Sequence, residues 1–381
     1  MTNTTNTATQ QGTTIFTVMS TLAAEYNAIN LSQGFPDFPI DAGLVQYMAD
    51  AVQGGMNQYA PMPGLPALRQ AIAQSIGRRY GIDVDADKEI TVTPGATYAI
   101  YTAFTAILQP GDEVIVLEPA YDSYIPNIET NGAVAVPVPL SVPGFTPDWE
   151  RIAAAVTHKT KAFIVNTPHN PTGAIWAKED WGQLAALVRN TGIYILSDEV
   201  YEQLVYDGQQ HYSVLQHPEL RERSFALYSF GKVFHNTGWK IGYCIAPPAL
   251  TQSFRRLHQF LAFSVNTPAQ YALAQHLSNP AVAPVHTLLQ QKRDHFLQLM
   301  RDTPFTFLQP AAGSYFQVAG YERISGLPDM DFAQWLTKEY GVATIPVSAF
   351  YSNKKDDKLV RFCFAKKEET LEQAAERLRK L

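Results

Sequence analysis

Ile90-Thr91-Val92-Thr93-Pro94-Gly95-Ala96-Thr97 is the stretch from which the rest of the chain is read. Four β-prone residues run into a Pro-Gly break, and from Ala96 to Leu108 the pattern is helical, so a strand turns directly into a helix. The same alternation repeats downstream. Glu113-Leu117, a stretch near Ala133-Val138, Lys161-Val165, Tyr194-Leu196, Phe225-Tyr228 and Ile241-Ala246 are apolar runs too short for full helices, and they read as buried strands. Between them, Gln109-Pro110-Gly111-Asp112 is a turn, and Thr146 is the expected N-cap of a helix that Pro147 opens and that runs through Val156. This is the pattern of a layered α/β domain around a mostly parallel sheet.

Beyond the long helical stretch after Pro248, the pattern changes near Gln309-Gly313 to a smaller α+β unit. It is expected to hold a helix near Asp331-Tyr340, strands at Val342-Ile345 and Lys358-Phe364, and a final helix from Glu368 to Leu381. The expected division is an N-terminal arm with part of the small domain (1–40), a large domain (41–280) and a small C-terminal domain (281–381).

A chain of 381 residues that is 46% hydrophobic can split its core between two domains. Its formal net charge of -6 argues against a polyanion as partner, because nucleic-acid binding needs a basic face. No apolar run approaches the roughly 20 residues that span a bilayer, and the first twelve residues lack a basic, then apolar, leader. A cytoplasmic protein with a frayed N-terminus is expected. Cys244 and Cys363 sit in apolar runs outside any CxxC spacing, and the nine histidines form no HExxH pattern, so no metal is expected.

Ligands of open α/β sheets sit outside the carboxyl ends of the strands, so Asn166, Asp198 and Ser229, each just after an apolar run, can converge on one crevice. Downstream of Ser229 comes Phe230-Gly231-Lys232, then Thr237-Gly238-Trp239-Lys240-Ile241-Gly242. A serine just before one lysine, with a second cation beyond, suits a site where one amine bonds covalently to an aldehyde while neighbours hold a phosphate. Pyridoxal 5'-phosphate (PLP) is held in this way. Ala96 and Thr97, at a helix start, can offer N–H groups to that phosphate. Asn170, fixed in the turn Asn166-Thr167-Pro168-His169-Asn170-Pro171-Thr172-Gly173, can bond a phenolate oxygen. Asp198 closes an apolar strand and needs a cationic or hydrogen-bonding partner, which a protonated pyridine nitrogen would provide. Arg361, between Val360 and Phe362, has a planar fork that suits a substrate carboxylate. Each segment alone also has a plainer reading: a surface lysine, a glycine turn, an Asn-Pro turn, a capping aspartate, an edge arginine.

Together, Lys232 with its flanks, the HNPTG turn, Ser197-Asp198-Glu199-Val200-Tyr201 and Arg361 resemble the class I/II aminotransferases of PLP fold type I, in the branch holding kynurenine, glutamine-phenylpyruvate and methionine aminotransferases. The likeness runs from Asn30-Leu31-Ser32-Gln33-Gly34-Phe35-Pro36 to the C-terminal helix. It implies a large PLP domain on a seven-stranded mostly parallel sheet, a small α+β domain, and a homodimer with active sites at the subunit interface. It makes Lys232 the lysine bonded to the cofactor, Asp198 the partner of the pyridine nitrogen, and Tyr201 with Asn170 the partners of the ring hydroxyl. Tyr121 would stack on the ring. Ala96, Thr97, Ser229 and Lys240 would hold the phosphate, joined by Tyr59 of the other subunit, and Arg361 with the Gly34 backbone would take the substrate carboxylate. Many relatives carry arginine where Lys240 stands. Phe16, Tyr59 and Phe263 are the expected side-chain pocket, and no arginine in Phe260-Gln270 can meet a second carboxylate. The expected reaction is ping-pong transamination from a neutral amino acid, methionine by resemblance, to a 2-oxo acid. A PLP-dependent β-lyase would use the same residues; a non-catalytic regulator would add a helix-turn-helix extension that is not seen.

Overall fold

Short apolar runs alternate with helices through the computed structural model, which describes residues 13–282 and 284–381. The polar run expected to fray lies outside the described residues. In chain order the strands are β1 (Ile29–Asn30), β2 (Ile90–Thr93), β3 (Glu113–Glu118), β4 (Val134–Pro139), β5 (Thr160–Asn166), β6 (Tyr194–Asp198), β7 (Ser224–Ser229), β8 (Gly242–Ile245), β9 (Phe316–Gly320), β10 (Val342–Ala343), β11 (Ile345–Pro346) and β12 (Leu359–Cys363).

Seven of them form one sheet in the order β2-β8-β7-β6-β5-β3-β4, parallel except for β8, which runs against both neighbours. Helices cover both faces, which is why its central strands are apolar throughout rather than alternating. One face packs Ile115, Phe163, Ile195 and Ala226, and the other Val116, Ile164, Leu196 and Leu227. A separate core of Phe296, Phe316, Phe332, Phe362 and Leu371 surrounds the antiparallel sheet β11-β12-β9. The N-terminal segment joins this second core: β1 pairs in parallel with β10, and the Cys363 amide donates to the Leu31 carbonyl at 2.8 Å. Among the described residues no helix is long and apolar enough to cross a membrane.

Two local expectations are corrected. Val342-Ile345 is not one strand: β10 pairs with β1, whereas β11 pairs with Val360 and Arg361. Thr344 stands at the crossing and donates its hydroxyl to the Arg361 carbonyl at 2.6 Å. Nor does Thr146 cap a helix. It exchanges backbone hydrogen bonds with Ser141, and the helix Trp149–Ala155 is capped instead by Asp148, which accepts from the Arg151 amide at 3.1 Å. An aspartate three residues before a free amide meets the capping geometry that the hairpin denies to Thr146.

Candidate active site

Strand register assembles the site. Asn166 is paired with Asp198, while Ser229 and Thr93 are both paired with Gly242, the first residue of β8. Because β2, β5, β6 and β7 run the same way, their carboxyl ends share one edge, and the antiparallel β8 starts there. Gly242 has to be glycine: a Cβ would lie 2.5 Å from the Tyr228 carbonyl oxygen and 3.0 Å from the Ala96 nitrogen. Above this edge opens a pocket of about 360 Å³.

The structure brings most of the residues singled out in the sequence to that pocket. Ala96, Thr97, Ser229 and Lys240 line its sheet edge, Tyr121, Asn170, Asp198, Tyr201 and Lys232 its middle, and Phe16, Gly34 and Arg361 the wall given by the second unit. Tyr59 and Phe263 are not brought there in their own chain. They are 83% and 51% exposed, with rings packed edge to face at 5.5 Å on the outer surface. Phe263 ends the helix Pro248–Leu261 with a left-handed φ of 61° and an amide bonded to the His258 carbonyl, which turns its side chain outward. A larger cleft, about 990 Å³, contains Arg79, Glu202 and His211 but none of the convergent groups above.

Asp198 is 4% exposed, and burial raises its carboxyl to about 6. One oxygen accepts the Tyr124 hydroxyl and the other the Val200 amide at 3.3 Å, so the capping reading and the buried-acceptor reading both hold. Tyr124 is the first residue of the helix Tyr124–Thr130, and its ring meets Tyr121 edge to face at 5.6 Å. Lys232 faces the same space from the short helix Phe230–Val233. Its Nζ lies 3.5 Å from the Gly34 carbonyl and 5.9 and 5.8 Å from the rings of Tyr201 and Tyr315. Burial lowers its amine to about 8, helped by the Arg361 and Lys240 charges and opposed by Cys363 and Asp198. An amine in that range keeps a larger free-base fraction near neutral pH than an ordinary lysine.

Arg361 is fully buried in β12. It donates through Nη1 to the Asn170 side-chain oxygen at 2.8 Å and through Nη2 to the Ser32 carbonyl at 2.6 Å, while Nε has no partner. Phe316 lies 3.9 Å below the guanidinium, with Phe16 and Phe350 at 5.3 Å. Among the described residues no carboxylate forms an ion pair with it, and burial lowers it to about 10. A desolvated cation without a directly paired carboxylate is costly, and an anionic ligand resolves that cost.

Three residues were missed as participants: Gln33 on the pocket wall and, behind the wall, Tyr124 and Tyr315, whose hydroxyl donates to the Gly34 carbonyl at 2.6 Å. Only Tyr124 left a trace, as a second tyrosine three residues after Tyr121.

The pocket fits a phosphorylated aldehyde. The helix Ala96–Ile107 has no side-chain cap, so its first N–H groups are open to an anion, and Lys240 Nζ lies 3.5 Å from where a Gly95 Cβ would stand. The model of the family "Aminotransferase class I and II" matches residues 26–378. The chain belongs to this family. It is similar to methionine aminotransferase of Escherichia coli K12, 49% identical over 377 residues that span 98% of this chain and 97% of the relative. It is also similar to kynurenine–oxoglutarate transaminase 1 of Mus musculus, 36% identical across 94% of this chain and 92% of that one. A solved Escherichia coli structure, described as having a methionine aminotransferase function, superposes with a TM-score of 0.93 at 48% identity, covering 97% of this chain and 98% of its own. The protein is thus a PLP-dependent aminotransferase of fold type I.

Proposed function

We propose that this aminotransferase takes its amino group from a neutral amino acid, methionine foremost, with aromatic amino acids, glutamine and kynurenine as further donors, and passes it to a 2-oxo acid by a ping-pong mechanism. The observation that carries the reading is the pocket itself. It holds one buried guanidinium, Arg361, and the rings of Phe16 and Phe316 line it beside that cation. One anchor suits one carboxylate, and aromatic walls suit an uncharged side chain. The names carried by its relatives agree with this.

In this reading Lys232 bonds the cofactor's aldehyde, and Asp198 holds the pyridine nitrogen protonated by opposite charge. Tyr201 and Asn170 bond the ring hydroxyl, Tyr121 stacks on the ring, and Ala96, Thr97, Ser229 and Lys240 hold the phosphate. Bound there, the cofactor supplies an electron-withdrawing ring for the pair left when the donor's α-proton departs. Lys232, freed when the donor's amine takes its place on that aldehyde, would move that proton as a free base, and Arg361 with the Gly34 backbone would fix the carboxylate so that the α-carbon faces the amine.

The reading includes a cytoplasmic homodimer with a large domain over residues 41–280 and a small one built from 1–40 and 281–381. Phe260, Leu261, Phe263 and Tyr59 support the dimer: they form an exposed apolar patch of the kind that a subunit covers, and Tyr59 would reach the partner's phosphate from it. Steady-state assays with methionine and aspartate test the donor. A kcat/KM at least tenfold higher for methionine is expected, and a preference for aspartate would overturn the reading.

A further inference from the structure

Gln33 lines the pocket, yet the proposed chemistry gives its side chain nothing to do. Its amide nitrogen is committed elsewhere. Nε2 donates to the Phe16 carbonyl at 3.0 Å and to the Ser20 hydroxyl, so both of its hydrogens are spent on the first turns of the helix Ile15–Glu25. The middle of that helix is fastened independently, through Met19 and Ala23, which are buried, with Met19 set against Ala333, Ile345 and Phe350. Its first turn is held less: Thr17 and Val18 face solvent, its N-cap is the exposed Thr14, and Ile15 and Phe16 pack against that cluster while only half-buried. Phe16 belongs to this loosely held turn, and its ring is a wall of the pocket, 6.0 Å from the Phe350 ring and 5.3 Å from the Arg361 guanidinium.

We infer that Gln33 is a positioning residue for donor selectivity: from the pocket wall it bonds the Phe16 carbonyl and so seats the aromatic surface on which an uncharged donor side chain packs. The inference rests on the neutral-donor reading and deepens it. A seated ring converts each added methylene of the donor into buried apolar area, about fourfold in kcat/KM. A ring on a frayed turn converts less. Gln33 thereby couples the helix Ile15–Glu25 to substrate choice without touching the reacting atoms.

The test is a donor series of alanine, 2-aminobutyrate, norvaline and norleucine, assayed with wild type, Gln33→Met, Phe16→Ala and the double variant. Methionine replaces glutamine with similar volume and no donor. The expected result is that the norleucine-to-alanine ratio of kcat/KM rises along the series in wild type and falls about tenfold in Gln33→Met, through KM. Phe16→Ala should show the same fall, and the double variant no further one, since both changes remove one surface. Hydrogen exchange of the protein without donor should be faster at residues 17–20 in Gln33→Met. Should that variant not fold, Ser20→Ala, which removes one of the two bonds, should give the same pattern in smaller size. An unchanged ratio, multiplying losses or unchanged exchange would overturn the role of Gln33 alone. A wild type indifferent to donor length would overturn the neutral-donor reading, and this role with it.

Discussion

Asp198 was marked in the sequence because an aspartate closing an apolar strand must be paired; its partner was not marked, because Tyr124 arrives from the far side of two crossovers. The same holds for Arg361, whose planar fork between two apolar residues pointed to a carboxylate, and whose contacts with Ser32 and Asn170 only the fold supplies. Residue types announce a need, and tertiary structure decides who meets it. The Tyr124 hydroxyl favours the ionised form of Asp198 against burial, so its removal should raise that carboxyl beyond about 6 and leave less carboxylate at neutral pH. For Tyr124→Phe, the pH below which cofactor affinity declines should therefore move upward relative to wild type. Equilibrium dialysis of PLP between pH 5 and 8 measures it, and superimposable profiles would contradict the role given to Tyr124.

Elements of the large sheet were legible because strands covered on both faces must be apolar from end to end, and the turn residues between them punctuate that signal. Val342-Ile345 misled for a related reason. Its apolar run says that the chain is extended and buried, and nothing in it says that Thr344 hands the chain from one sheet to another. Thr146 misled because a hydroxyl before proline looks like a cap whether or not a hairpin takes it first. At this scale Gly242 is the sharpest test. A methyl there would press on the backbone of Tyr228, Gly95 and Ala96, so Gly242→Ala should lose about 1–3 kcal/mol of stability and weaken phosphate holding at the Ala96 turn. Urea unfolding of the cofactor-free protein measures the first effect, and an unshifted midpoint would show that β8 can yield.

For the molecule as a whole, two cores meet at one pocket: the large sheet contributes the groups proposed to hold the cofactor, and β12 with the N-terminal segment contributes Arg361, Gly34 and Phe16. The proposed division into units came from a change of pattern, while the exposure of Phe263 left no sign, because an aromatic residue reads alike whether it faces a core or a partner. On the proposed dimer, Phe260→Glu should yield monomers in sedimentation velocity that also hold PLP less tightly, since Tyr59 would no longer reach a second site. A variant that stays dimeric would place the interface on another face. The most direct measurement concerns one bond. Holoenzyme reduced with borohydride and mapped by peptide mass should carry the cofactor adduct on Lys232; an adduct on any other lysine, or on none, would contradict the account.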